Sequence, residues 1–404
     1  MRDGGSNDDS GGLDDAAADG TGPGGRLRRL RAHRSAVFAA AFLVLAAGVT
    51  IPLVLSGSDD SSEGACHRLP ASARALADDP GAATEALDPG DDLAGIGAAR
   101  KLLRHEHVCG DGAQVLGHIV DGATRATGPG RPHTVAQARA AYAVASAVND
   151  IELPEGLAPG MARMVAEYVV DAGRDHSWAW TKARGPAAGP EKARPDADGY
   201  AKLGRFLAPG EAHAVFEYAD SSVDADPDIE DLVEELSKDP EAFAILYDAE
   251  RAGLAHYLER LTDDGGDPDF RPPSRPDSST PTGWPDNDLE AIADRVGTLM
   301  KYRAEYARNR TIPDLAAFDR AVRRHTRGTF RPAGKQLDSR PAMGDIADRP
   351  VAGPMEGDLT DGRHQLFTVL DDWAKERGVP VRRATAMKQQ MDNSYVRALW
   401  LRLF

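Results

Sequence analysis

Residues 158–174 read APGMARMVAEYVVDAGR, and their spacing predicts a helix. Met161, Met164, Val165, Tyr168, Val169 and Ala172 recur at intervals of three and four and form one apolar stripe. Pro159 falls in the first turn, where a helix has no amide hydrogen bond to lose. A methionine stripe at this spacing reads as core.

The same period extends in both directions. Before the stripe it runs through 91–107, 112–126 and 134–149, all rich in Ala. After it, 228–263 holds one or two helices, with Asp239-Pro240-Glu241 as a cap and Phe243, Leu246, Tyr247, Leu254, Tyr257, Leu258 and Leu261 turned inward. Helical spacing returns over 289–310, 314–326, 361–377 and 383–404. No strand-like alternation of useful length appears, and no repeat of 20 to 50 residues suggests a solenoid.

A second stretch sets the topology. Residues 36–55, AVFAAAFLVLAAGVTIPLVL, contain only Thr50 as a polar side chain. As a helix they would cover roughly 30 Å, the thickness of a bilayer core. Arg26, Arg28, Arg29, Arg31 and Arg34 crowd the N-terminal side, and Asp59 and Asp60 follow the run. The positive-inside rule then keeps the N-terminus in the cytoplasm and places the rest outside. A cleaved signal peptide ending near Ser56-Gly57-Ser58 is the competing reading, although the apolar run exceeds the usual 7 to 15 residues.

The expected fold is therefore mostly α, a single transmembrane helix followed by an all-α multi-helix extracytoplasmic region, with a disordered N-terminal tail. Residues 1–34 are that tail, ending in the Arg cluster; 35–57 are a signal anchor embedded in the lipid bilayer; 58–65 are a linker. A first helical block spans 66–262 and a second spans 289–404. Between them, 263–288 is a linker with six Pro from Pro268 to Pro285.

Charge follows the same division. The chain of 404 residues carries a formal net charge of −16. The first 34 residues balance six Asp against six Arg, and 35–58 are uncharged, so the whole surplus lies beyond residue 58. An acidic exterior argues against nucleic-acid partners. Arg outnumbers Lys by 39 to 9, which together with abundant Ala, Gly and Asp resembles the composition of actinobacterial proteins.

Cys66 and Cys109 are the only cysteines. Both fall in the outside portion, where thiols oxidise, so one disulfide closing a loop of about 43 residues is expected. Two free thiols and a metal site are the alternatives. His67, His105, His107 and His118 lie nearby, but tight ligand pairs such as CxxC or HxxxH are absent, so no metal is expected.

Catalytic signatures such as HExxH, GxSxG, a Walker loop or SxxK are missing, and no cofactor is implied. Trp178 and Trp180, in DHSWAW, are candidates for stacking on a cell-wall sugar or peptide. In the last helix Met387, Met391, Tyr395, Leu399 and Leu403 repeat at four, with Trp400 beside them and a basic complement around them. This helix packs on the acidic body or lies on an anionic membrane surface. The function expected is an interaction or sensing module at the cell envelope, with an envelope protein or cell-wall partner. A hydrolase-like envelope enzyme without a recognisable motif, and a signalling subunit acting through its short tail, are the alternatives.

Overall fold

A computed structural model describes residues 66–173, 185–193, 210–219, 227–266, 268, 284–337 and 340–401. The chain divides into two units, Met1–Gly57 and Ser58–Phe404, and every described residue belongs to the second. The tail, the predicted anchor at 35–57 with its Arg cluster, the linker at 58–65, Trp178, Trp180 and Leu403 lie outside the described residues. Among those that are described, no helix is long and apolar enough to cross a membrane.

The described chain is mostly helical. The helices are α1 (Ala71–Leu76), α2 (Pro80–Leu87), α3 (Ile96–Leu103), α4 (Gly112–Thr124), α5 (Val135–Ala147), α6 (Ala158–Glu167), α7 (Val169–Ala172), α8 (Ile229–Leu236), α9 (Pro240–Arg260), α10 (Trp284–Arg308), α11 (Leu315–His325), α12 (Met343–Ala347), α13 (Gly362–Arg377) and α14 (Val381–Leu401). Two short strands, β1 (Ala187–Ala188) and β2 (His213–Ala214), pair antiparallel, Ala187 with Ala214 and Ala188 with His213.

Side-chain caps start many of these helices. Thr134 and Gln137 form a reciprocal capping box on α5. Asp79, Asp228, Asp239, Asp314 and Asp361 each accept an orphan amide at a first turn. Asp239 with Pro240 also divides the 228–263 stretch: Pro240 offers no amide to a preceding helix, so α8 stops at Leu236 and α9 begins afresh.

The stripe at 158–174 breaks where one continuous helix is expected. Tyr168 leaves helical geometry (φ −99°, ψ 30°) between α6 and α7. Its hydroxyl donates to the Thr124 carbonyl at 3.0 Å, which anchors the break to the end of α4. Helices α1, α2 and α12 are only 6, 8 and 5 residues long, too short for the period to register in sequence.

Helix α9 is central. It packs against α6, α10, α11, α12 and α13, and it is buried on nearly every side, as expected of a helix enclosed by others. A single apolar cluster joins Leu69 and Leu116 to Phe243, Val296, Trp373 and Tyr395. Residues on both sides of 263–288 thus share one core.

Two glycines permit close helix crossings. A Cβ on Gly160 of α6 would come 2.4 Å from the Gly117 Cα of α4, inside any tolerated contact. A Cβ on Gly297 of α10 would lie 2.6 Å from the Tyr395 carbonyl of α14. The second crossing seats the terminal helix on α10, with Met387, Met391 and Tyr395 buried and Leu399 half-buried. Trp400 is 55% exposed.

Candidate functional site

The Gly117–Gly160 crossing brings the end of α4 beside α6, and so sets Arg125 against Glu167. Arg125 Nε donates to Glu167 Oε2 at 3.1 Å, and Arg125 Nη2 donates to Asp348 Oδ2 at 2.7 Å. The Ala126 amide donates to Glu167 Oε1 at 3.2 Å. His133, on the loop leading to α5, lies between two carboxylates. Its Nε2 is 3.2 Å from Glu167 Oε1 and its Nδ1 is 2.5 Å from Glu211 Oε1. Glu211 also accepts the Met343 amide at 3.0 Å, so it caps α12. All three side chains are buried.

The protonation state follows from this geometry. Ionised carboxylates only accept, so both ring nitrogens of His133 must donate and the ring is an imidazolium. Burial alone would push its pKa down; the hydrogen bonds and charges of Glu167 and Glu211 outweigh burial and lift it to about 9. Burial likewise pushes Glu167 up, yet His133 and Arg125 hold it below the ordinary carboxylate range. The Tyr168 ring stands 4.5 Å from His133, centroid to centroid. Its phenol is driven well above its usual pKa, first by burial and then by Asp171, Glu167 and Glu211.

A second pair stands beside the first. Asp171 lies four residues after Glu167, across the break at Tyr168, and His213 lies two after Glu211, just inside β2. Asp171 Oδ1 accepts from His213 Nδ1 at 2.9 Å, while Asp171 Oδ2 accepts the Ala214 amide at 2.8 Å. Both side chains are fully buried. His213 Nε2 makes no hydrogen bond.

A third buried histidine behaves in the opposite way. His256 of α9 makes no hydrogen bond through either ring nitrogen. Burial, then Arg349, Arg260 and Arg340, push its pKa down to about 3, so the ring is neutral. Close by, Glu259 accepts the Ala333 amide at 2.9 Å and pairs with Arg349.

Of the residues singled out from sequence, Cys66 and Cys109 are joined by a disulfide with Cα atoms 5.1 Å apart. The His67 and His105 rings stack beside it at 3.7 Å, centroid to centroid. Among the described residues, no group of three or more His, Cys, Asp or Glu could hold a metal ion. Met387, Met391 and Tyr395 face the core, whereas Trp400 faces outward. The sequence gives no conventional motif for the His133 and His213 centres; the traces they leave are Glu167-x-x-x-Asp171 and Glu211-x-His213.

No protein-family model, curated protein or solved structure matches this chain.

Proposed function

We propose that this chain is a single-pass, membrane-anchored extracytoplasmic protein serving as an interaction or sensing module at the cell envelope. Residues 35–57 are its anchor, Arg26 to Arg34 hold the tail in the cytoplasm, and the helical region faces outward. The Cys66–Cys109 disulfide supports the outward placement, because such bonds persist in oxidising compartments.

The observation that carries the module reading is the closed bookkeeping of the His133 centre. Its imidazolium, two glutamates and Arg125 satisfy one another and join segments from residue 125 to 348. Such a centre holds helices in register and leaves recognition to the outer surface. Protease shaving of intact cells tests the placement: loss of the region after residue 58, with residues 1–34 protected, is the expected pattern. Digestion of 1–34 from outside would reverse the topology. For the module role, a reproducible hydrolytic turnover in an activity screen would count against it.

One observation favours a second reading, a hydrolase-like envelope enzyme. Asp171 and His213 have the relationship of an orienting carboxylate and a base, with Nε2 left bare.

A further inference from the structure

Residues 308–327, RNRTIPDLAAFDRAVRRHTR, hold six Arg against two Asp, a local +4 in a chain of net charge −16. We propose that the corner between α10 and α11 is a docking surface for a linear anionic polymer of the cell envelope, one whose repeating charges are phosphates. This rests on the module reading above and deepens it by naming the surface and the chemistry of its partner.

Helical spacing makes the surface. Arg320, Arg323 and Arg324 lie three and four residues apart, so they share one face of α11, and all three are exposed. Phe318 and Val322 turn the opposite face into the core, where α11 packs on α9. Arg308 and Arg310 stand exposed at the turn that leads into α11. Arg310 has φ 69°, a conformation that favours Gly, yet the position carries a cation.

Elsewhere in this acidic chain arginines meet carboxylates. Arg125, Arg139, Arg303 and Arg363 each do so at 2.5 to 2.7 Å. At the corner, Asp319 is taken by Arg303, Asp314 caps α11, and Asp358 accepts from one nitrogen of Arg323. Arg308, Arg310, Arg320 and Arg324 have no carboxylate partner among the described residues. The negative end of the helix dipole attracts Arg323 and Arg324 in the last turn of α11. It does not account for Arg320, one turn earlier, or for Arg308 and Arg310, which precede the helix.

Shape and charge choose the partner. Arg320 and Arg324 are about 6 Å apart along the helix axis, at 1.5 Å per residue, so their guanidinium forks can grip successive charges of one strand. Such forks match phosphate oxygens bidentately. A lipid surface fits less well, because α11 exposes no large apolar side chain to enter a bilayer. The partner must also outcompete the carboxylates of other copies of this chain, which a strand carrying many charges does through multivalency.

The test titrates the full chain, solubilised in a nonionic detergent, with long-chain inorganic polyphosphate. Binding is expected at low salt, with log affinity falling against log salt by about 2 for the α11 arginines alone and by up to about 3.5 with Arg308 and Arg310 engaged. The double variant Arg320→Gln, Arg324→Gln should bind roughly tenfold more weakly. Its slope should be smaller by about 1.4, with an unchanged thermal melt because both side chains are exposed. Arg382→Gln, at an exposed arginine of α14, should change nothing. No binding, equal affinity in the double variant, or an equal loss in Arg382→Gln overturns the proposal. Equal affinity for poly-glutamate overturns it by showing that phosphate is not selected. Displacement of the polymer by dihexanoyl phosphatidylglycerol at matched phosphate overturns it in favour of a lipid surface. Each of these leaves the module reading standing, whereas a hydrolytic turnover would remove that reading whatever polyphosphate does.

Discussion

His133 Nδ1 and Glu211 Oε1 lie 2.5 Å apart with both side chains closed to solvent, and this contact couples a loop before α5 to the first amide of α12. Removing one member of a buried charged pair leaves the other uncompensated, which costs about 3–5 kcal/mol. Glu211→Ala also deprives the Met343 amide of its acceptor. A loss of about that size is expected in urea titrations, and Glu211→Asp should lose less than Glu211→Ala.

Stability should be greatest near pH 6.5 and fall on both sides of it. The folded pKa of His133 is raised from 6.5 to about 9, so the native state holds its proton more tightly; its contribution is full below 6.5, declines as pH rises from 6.5 and is gone above about 9. That contribution amounts to about 3 kcal/mol. His256 has the opposite sign: its folded pKa is lowered to about 3, so stability falls as the pH drops from 6.5 toward 3 and the unfolded chain takes up the proton. Glu167, held low in the native state, steepens the loss below its unfolded pKa near 4.5. Thermal melts across pH 3 to 10 check both limbs; a maximum below pH 6 would contradict these assignments.

Reducing the disulfide should lower stability by about 4 kcal/mol in the loop-entropy picture, given the separation of 43 residues between Cys66 and Cys109. A peptide digest under non-reducing conditions should contain the linked pair, with no free thiol at either position.

Gly160→Ala forces a methyl group to within 2.4 Å of the Gly117 backbone and should cost more than the usual 1–3 kcal/mol of overpacking, since backbone cannot step aside. Gly97→Ala is the control. Its Cβ would meet nothing within 4 Å, on an exposed helical position, and should stabilise by about 0.5 kcal/mol. Denaturant midpoints should move in opposite directions.

Met391→Ala should cost about 2–5 kcal/mol, because the side chain is buried between α14 and the body. Trp400→Ala should change the melting temperature little, being 55% exposed. Ending the chain before residue 383 should unfold the region around α10, seen as lost far-ultraviolet dichroism.

The helices were legible because long amphipathic segments repeat their pattern locally. The stripe from Met161 to Ala172 needs no knowledge of its partners. Breaks such as Tyr168 were not, since they depend on a hydroxyl reaching Thr124, 44 residues away. The charged centre was hidden for the same reason. Glu167 and Asp171 stand outside the apolar stripe, and nothing local marks them as buried; their partners His133 and His213 arrive from 34 and 42 residues away. Glu211-x-His213 carries the strand period over too few residues to be told from a loop. Trp178 and Trp180 were conspicuous in sequence and lie outside the described residues.

The cystine at the start of the helical region also has a mechanical meaning. Tension entering the chain at Cys66 passes through the sulfur bridge directly to Cys109. Residues 67–108, which include α1, α2 and α3, form a closed side loop that bears none of that pull. The backbone pairing of His67 with His107, and of Cys109 with His67, both at 2.8 Å, zips the two ends of the loop together where the load crosses. A strain on the N-terminal side is therefore delivered straight to α4, the helix whose far end carries Arg125.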